Sequence, residues 1–157
     1  MRSPFEKGSA LTERIIGAAI EVHRDKGPGL IESIYEWCLT KEFELQRLTC
    51  TSQKEVTLEY KGFVREEILR FDLLVEELVL VEVKAVTQVL PIHKAQLLSY
   101  MKLLNVPIGL LINFHETKLV NGVHRLFLPG ANKTENFEQE RTEEAEGFAR
   151  GRRPGSD

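Results

Sequence analysis

Three observations in this 157-residue chain predict an α/β fold, a mixed β-sheet flanked by helices in the order ααβββαββ. Apolar residues alternate with period two on both sides of Glu76-Glu77, which argues for two strands joined as a hairpin. A helical pattern follows from about Pro91 to Leu104, with Leu97, Met101 and Leu104 in one stripe. Ile108-Gly109-Leu110-Leu111-Ile112 is then apolar without interruption, as expected of a strand covered on both faces. A helix between two strands, the second of them buried, reads as a crossover to a parallel neighbour. The strand before that helix is therefore expected to be central.

Taken in order, the first helix is expected over about Leu11 to His23, with Leu11, Ile15, Ala18 or Ala19 and Val22 on one face. Gly27-Pro28-Gly29 ends it. The second helix is expected from about Ile31 to Arg47, its inner face marked by Ile31, Ile34, Tyr35, Cys38 and Leu45. For Tyr35 and Trp37 a core or interface role outweighs base stacking. A strand at about Gln53 to Tyr60 turns through Lys61-Gly62 into the second strand, because Gly62 can adopt positive φ. After the buried strand, an Asn121-Gly122 turn leads to a last strand at Val123 to Leu128. Residues 1–130 read as one domain. Residues 131–157 are mostly Glu, Gln, Asn, Arg, Gly and Ser and read as a disordered or weakly helical tail.

An apolar fraction of 42% without a long uncharged run indicates a soluble chain without a membrane span, and Met1 to Ser9 has no apolar signal core. Cys38 and Cys50 are scattered, which favours free thiols and a cytoplasmic location. The net charge of −3 argues mildly against a protein that coats nucleic acid. The tail holds five basic and seven acidic residues, so the remainder is close to neutral. Lys61, Arg65, Arg70, Lys94 and Lys102 are candidate phosphate contacts, although each taken singly is more simply a solvated charge.

Register decides what the hairpin presents. With Glu76, Glu77 and Leu78 as the loop, Val75 lies opposite Val79, Leu73 opposite Val81 and Phe71 opposite Val83, which makes one face wholly apolar. The other face then carries Asp72 opposite Glu82 and Arg70 opposite Lys84. A two-residue loop would mix apolar and charged side chains on both faces. Opposed residues have Cβ atoms roughly 5 Å apart, too close for two carboxylates to stay ionised comfortably without a cation between them. Mg²⁺ suits such a site, since it prefers oxygen ligands and retains several waters. Lys84 projects to the same face, where its ammonium could stabilise charge on phosphoryl oxygens. Asp-x(10)-Glu-x-Lys alone is a weak pattern, and a solvated strand face is its simpler reading. The buried crossover to the next strand shifts that balance.

Asp72, Glu82-Val83-Lys84 and Gln96-x-x-x-Tyr100 together resemble the PD-(D/E)XK nuclease superfamily, in particular its exonuclease-like branch with a Q-x-x-x-Y helix. Gly29-Leu30-Ile31-Glu32-Ser33-Ile34-Tyr35 matches the Gly-x-x-Glu-x-x-Tyr signature of the GxxExxY family within it. Three motifs in the right order are far more specific than any one. The resemblance spans roughly Leu11 to Leu128 and implies a restriction-endonuclease-like core. It implies that Asp72 and Glu82 bind Mg²⁺ or Mn²⁺, that the Val83 carbonyl completes the shell, and that Lys84 assists the nucleophilic water. Gln96 would hydrogen-bond near the phosphate with Tyr100 packed beside it, and Glu32 would serve as an outer-sphere or second-metal ligand.

Phe71 stands where the superfamily name places proline, a departure that the chemistry tolerates. Two cysteines without a C-x-x-C pair cannot build the iron–sulfur cluster found in some Q-x-x-x-Y nucleases. No glycine-rich phosphate loop is present, so processivity would need a protein partner or a homo-oligomer. His93 shares a helical face with Gln96 and could reach a phosphate, whereas His23, His115 and His124 lack zinc-site spacing. The expected function is Mg²⁺-dependent hydrolysis of phosphodiester bonds in nucleic acid, with DNA favoured over RNA and Lys84 as an electrostatic group rather than the base. Two alternatives stay open. One is a nucleic-acid- or protein-binding module that retains the fold without turnover, and the other is a phosphoester reaction on a small nucleotide, which would need a closed pocket.

Overall fold

The computed structural model describes residues 2–130 of the chain. The predicted tail at 131–157 lies outside the described residues. Ser3 starts helix α1, Pro4–Lys26, several residues ahead of the expected Leu11. Its hydroxyl accepts from the Glu6 N–H at 3.1 Å while the Glu6 carboxylate accepts from the Ser3 N–H at 3.2 Å, a capping box with Pro4 in the first turn. The apolar periodicity does not begin until Leu11, so the pattern alone located the packed part of the helix and missed its start. Gly27, at φ 71°, closes the helix.

Helix α2, Glu32–Leu45, is followed by strands β1, Cys50–Tyr60, β2, Phe63–Val75, and β3, Val79–Lys84. Helix α3, Pro91–Leu104, then precedes β4, Ile108–Asn113, a single 3₁₀ turn at Leu119–Gly122, and β5, Val123–Phe127. The five strands lie in sequence order, antiparallel except for β3 and β4, which are parallel and joined by α3. β3 is thus the centre of the sheet, as the buried crossover required. Lys61 and Gly62, at φ 48° and 88°, make the two-residue turn between β1 and β2.

Helices α1 and α2 cover one face of the sheet. Leu11, Ile15, Ala18, Ala19 and Val22 pack with Tyr35, Leu39 and Phe43 against Leu73, Val75, Val79, Val81, Val83, Ile108, Leu110 and Ile112. Helix α3 covers the other face through Leu97, Met101 and Leu104, which meet Leu69, Leu74, Leu80 and Leu111. Gly109 permits that approach, because a methyl group there would lie 2.5 Å from Met101 Sδ. No helix among the described residues is long and apolar enough to cross a membrane.

Two expectations are corrected. The inner stripe of α2 is Tyr35, Leu39 and Phe43, whereas Ile31 and Leu45 are 65% and 77% exposed and Ile34 is also exposed. Apolar residues occur all round this helix, so periodicity placed Tyr35 and Cys38 on the inner side but drew in Ile31, Ile34 and Leu45 where Leu39 and Phe43 belong. Trp37 lies on the outside as well, with Lys41 Nζ 5.8 Å from its ring centroid. The second correction concerns β2. The hairpin loop and the pairs Leu73 with Val81 and Val75 with Val79 are as expected, but the ladder goes no further toward Phe71. On the β1 side, Thr51 pairs with Leu74 and Gln53 with Arg70, so Ser52 alone stands against Phe71, Asp72 and Leu73. This bulge reverses the side-chain alternation. Phe71 therefore packs with the α3 layer, opposite to Leu73, and does not extend the apolar face toward Val83.

Candidate active site

The bulge places Asp72 where β2 and β3 separate. With no ladder partner at this level, the Val83 N–H donates to Asp72 Oδ2 at 2.7 Å, so a side chain replaces the missing backbone acceptor. Glu82 and Lys84 alternate with the buried Val81 and Val83 and so project toward α3. Lys84 Nζ lies 3.4 Å from Glu82 Oε1, with side-chain exposures of 18% and 24%. Asp72 and Glu82 line a cleft of about 280 Å³ with Arg70, Phe71, Leu80, Gln96, Leu97 and Tyr100. Gln96 and Tyr100, one helical turn apart, thus face the two carboxylates, as the Q-x-x-x-Y spacing anticipated.

Glu32 reaches the site from its far side. Its Oε2 accepts from the Ala85 N–H at 3.2 Å, just beyond Lys84. Tyr35 is fully buried, stacks on Phe114 at 4.4 Å and donates from its hydroxyl to the Gly27 carbonyl at 2.6 Å. The same hydroxyl accepts from the Leu30 N–H at 3.0 Å. The Gly-x-x-Glu-x-x-Tyr segment therefore has a mechanical logic: Tyr35 fastens the loop that starts α2, and the start of α2 delivers Glu32.

Sequence reasoning passed over two participants. Asn113, buried at the end of β4, accepts from the Val86 N–H at 3.0 Å and donates to the Val86 carbonyl at 2.8 Å. The Phe114 N–H donates to the Lys84 carbonyl at 2.8 Å. The chain that leaves Lys84 is thus held by α2 and β4 at successive residues. An Asn ending an apolar run was the only trace of this in the sequence. The other is Glu36, whose carboxyl is pushed up by burial first and then by Asp72 and Glu32. The signal was its position one turn beyond Glu32.

Burial is also the main cause that pushes the Asp72 and Glu82 carboxyls up. The Val83 N–H and Lys84 act against it at Asp72, and Lys84 does so at Glu82, where the Asp72 charge adds to the rise. Two carboxylates in a half-buried cleft with one ammonium beside Glu82 form a set of hard oxygen donors whose charge is under-compensated, which fits a divalent cation. Among the described residues no three carboxylate, imidazole or thiolate groups converge as a ready cage. His23 Nε2 lies 2.7 Å from the Glu116 carbonyl, a structural contact, and Arg70 donates to Gln53 Oε1 at 3.1 Å at the rim of the cleft.

Comparison with family models matched residues 9–126 to one described as the PD-(D/E)XK nuclease superfamily. Comparisons with curated proteins and with solved structures returned no match.

Proposed function

The chain belongs to the PD-(D/E)XK nuclease superfamily, and from that premise we propose that it hydrolyses phosphodiester bonds in nucleic acid, DNA in preference to RNA, with Mg²⁺ or Mn²⁺. The observation that carries this reading is the pair of half-buried carboxyls at the cleft, both raised by burial and offset by the Val83 N–H and Lys84 at Asp72 and by Lys84 at Glu82. A binding-only domain has no use for that electrostatic burden.

In this reading Asp72, Glu82 and the Val83 carbonyl hold the cation, whose chemistry when bound is Lewis acidity toward the phosphoryl group and activation of the attacking water. Lys84 sets its ammonium where charge develops on the phosphoryl oxygens. Gln96 offers an amide to the phosphate from the opposite wall of the cleft, and Tyr100 flanks it. Glu32 works from the outer sphere, holding the Ala85 N–H and hence the backbone that carries Lys84. The cleft is partly open to solvent, so a polymer strand can enter it.

The test is cleavage of end-labelled single- and double-stranded DNA and RNA with Mg²⁺, with Mn²⁺ and with chelator, comparing the wild type with Asp72→Ala and Lys84→Ala. Metal-dependent cleavage lost in both variants is the expected result. Binding of a polymer without cleavage by folded, cation-loaded protein would replace the nuclease reading with the binding module.

A further inference from the structure

His93 is the one polar residue on the cleft-facing side of α3 that the proposed chemistry has not used. It sits three residues before Gln96 and four before Leu97, both of which line the cleft, so it continues their stripe by one turn. Its ring is half-buried and lies within electrostatic reach of Glu82. The Leu90 N–H donates to His93 Nδ1 at 3.0 Å, which fixes the ring against the start of the helix. A nitrogen that accepts a hydrogen bond carries a lone pair, so the ring's proton resides on Nε2. No described residue accepts from that Nε2–H. With Nδ1 occupied and Nε2 protonated, the ring has no lone pair for a metal or for a water proton, and what it offers is one oriented N–H donor.

Resting on the phosphodiesterase reading above, we infer that His93 Nε2–H is a binding contact for a phosphate of the polynucleotide next to the scissile one. In that reading Gln96 and Lys84 serve the scissile group, and His93 stands one helical turn before Gln96 on α3, about the distance to a neighbouring phosphate. The substrate class that this contact demands is a strand with at least two consecutive phosphodiesters. The contact is made in the bound substrate and in the transition state alike, so its loss belongs in KM more than in kcat.

The experiment is cleavage, in Mg²⁺, of end-labelled DNA oligonucleotides in which single phosphates are replaced by neutral methylphosphonates. Wild type is compared with His93→Ala and with His93→Gln, whose amide can keep the Leu90 contact. For wild type, one non-scissile position should slow cleavage about tenfold when neutralised, the size of a lost hydrogen bond to a charged group. With His93→Ala, the unmodified strand should be cleaved about tenfold less efficiently, through KM, and neutralising that same position should have no further effect. His93→Gln should recover part of the difference. Thermal unfolding separates the cap from the contact, because losing the exposed Leu90–His93 bond should shift Tm only slightly, and equally with and without the DNA modification. An interference profile of His93→Ala identical to that of wild type would overturn the inference while leaving the nuclease reading intact. Failure of wild type to cleave any oligonucleotide would sink that reading and this inference with it.

Discussion

Asp72 carries two opposed demands. Its carboxylate is acceptor to the Val83 N–H, yet burial pushes its pKa up, so the charged form is less favourable in the folded chain than in the unfolded one. A carboxyl whose folded pKa is raised binds its proton more tightly when folded. The stability that this carboxyl contributes is therefore fully present below the unfolded carboxylate range and is lost as pH rises through the raised folded pKa. Asp72→Asn keeps an acceptor for Val83 and deletes the charge, so without divalent cation at neutral pH it should raise Tm by a few degrees in calorimetry. The same variant should not cleave nucleic acid. A fall in Tm would show that the carboxylate is better compensated than its surroundings imply. Both carboxyls must be ionised to hold a cation, so turnover should fall, as pH decreases, at a higher pH than ordinary carboxylates would dictate. Lys84→Met removes the ammonium while retaining the aliphatic stem, and kcat should drop about 10²- to 10³-fold.

At the level of elements, the hairpin between β2 and β3 was legible because a face either buries apolar residues or does not, and only the three-residue loop made Leu73, Val75, Val79 and Val81 agree. Phe71 escaped that logic. Its place depends on β1, which runs against β2 with Ser52 facing three residues, and a competition between two neighbouring strands has no signature in either strand alone. Helix α3 was legible to its ends, since Pro91 starts it and its stripe is unbroken, with Asn105 closing it in the left-handed region at φ 56°. Its closeness to β4 depends on Gly109. Gly109→Ala would press a methyl group onto Met101 and Leu97 and should destabilise the fold by about 1–3 kcal/mol in urea unfolding. An unchanged midpoint would mean that Met101 moves aside freely. Asn113→Ala should lower stability by a similar amount, about 1–3 kcal/mol, by stranding the Val86 N–H and carbonyl.

For the molecule as a whole, the candidate site draws on both layers. α2 and the bulged part of β2 contribute Glu32 and Asp72, β3 contributes Glu82 and Lys84, and α3 closes the far wall. A cation held there binds only the folded chain, so millimolar Mg²⁺ should raise Tm of the wild type and leave that of Asp72→Ala unchanged, with chelator reversing the effect. Equal shifts in both proteins would place the ion elsewhere. The amino-acid sequence by itself determined the class of fold, the parallel crossover and the central position of β3, which follow from periodicity and spacing within short segments that a chain expresses locally. It offered Asp72, Glu82 and Lys84 as candidates through hairpin register, and Gln96 and Tyr100 through the family resemblance. Only the tertiary structure decided that Asp72 turns to the Val83 N–H, that Leu39 and Phe43 and not Ile31 and Leu45 join Tyr35 in the core, and that Glu36 and Asn113 attend the site. Each of these is settled by which distant strand or helix takes up a hydrogen bond or a buried face, and that choice exists only once the layers have packed.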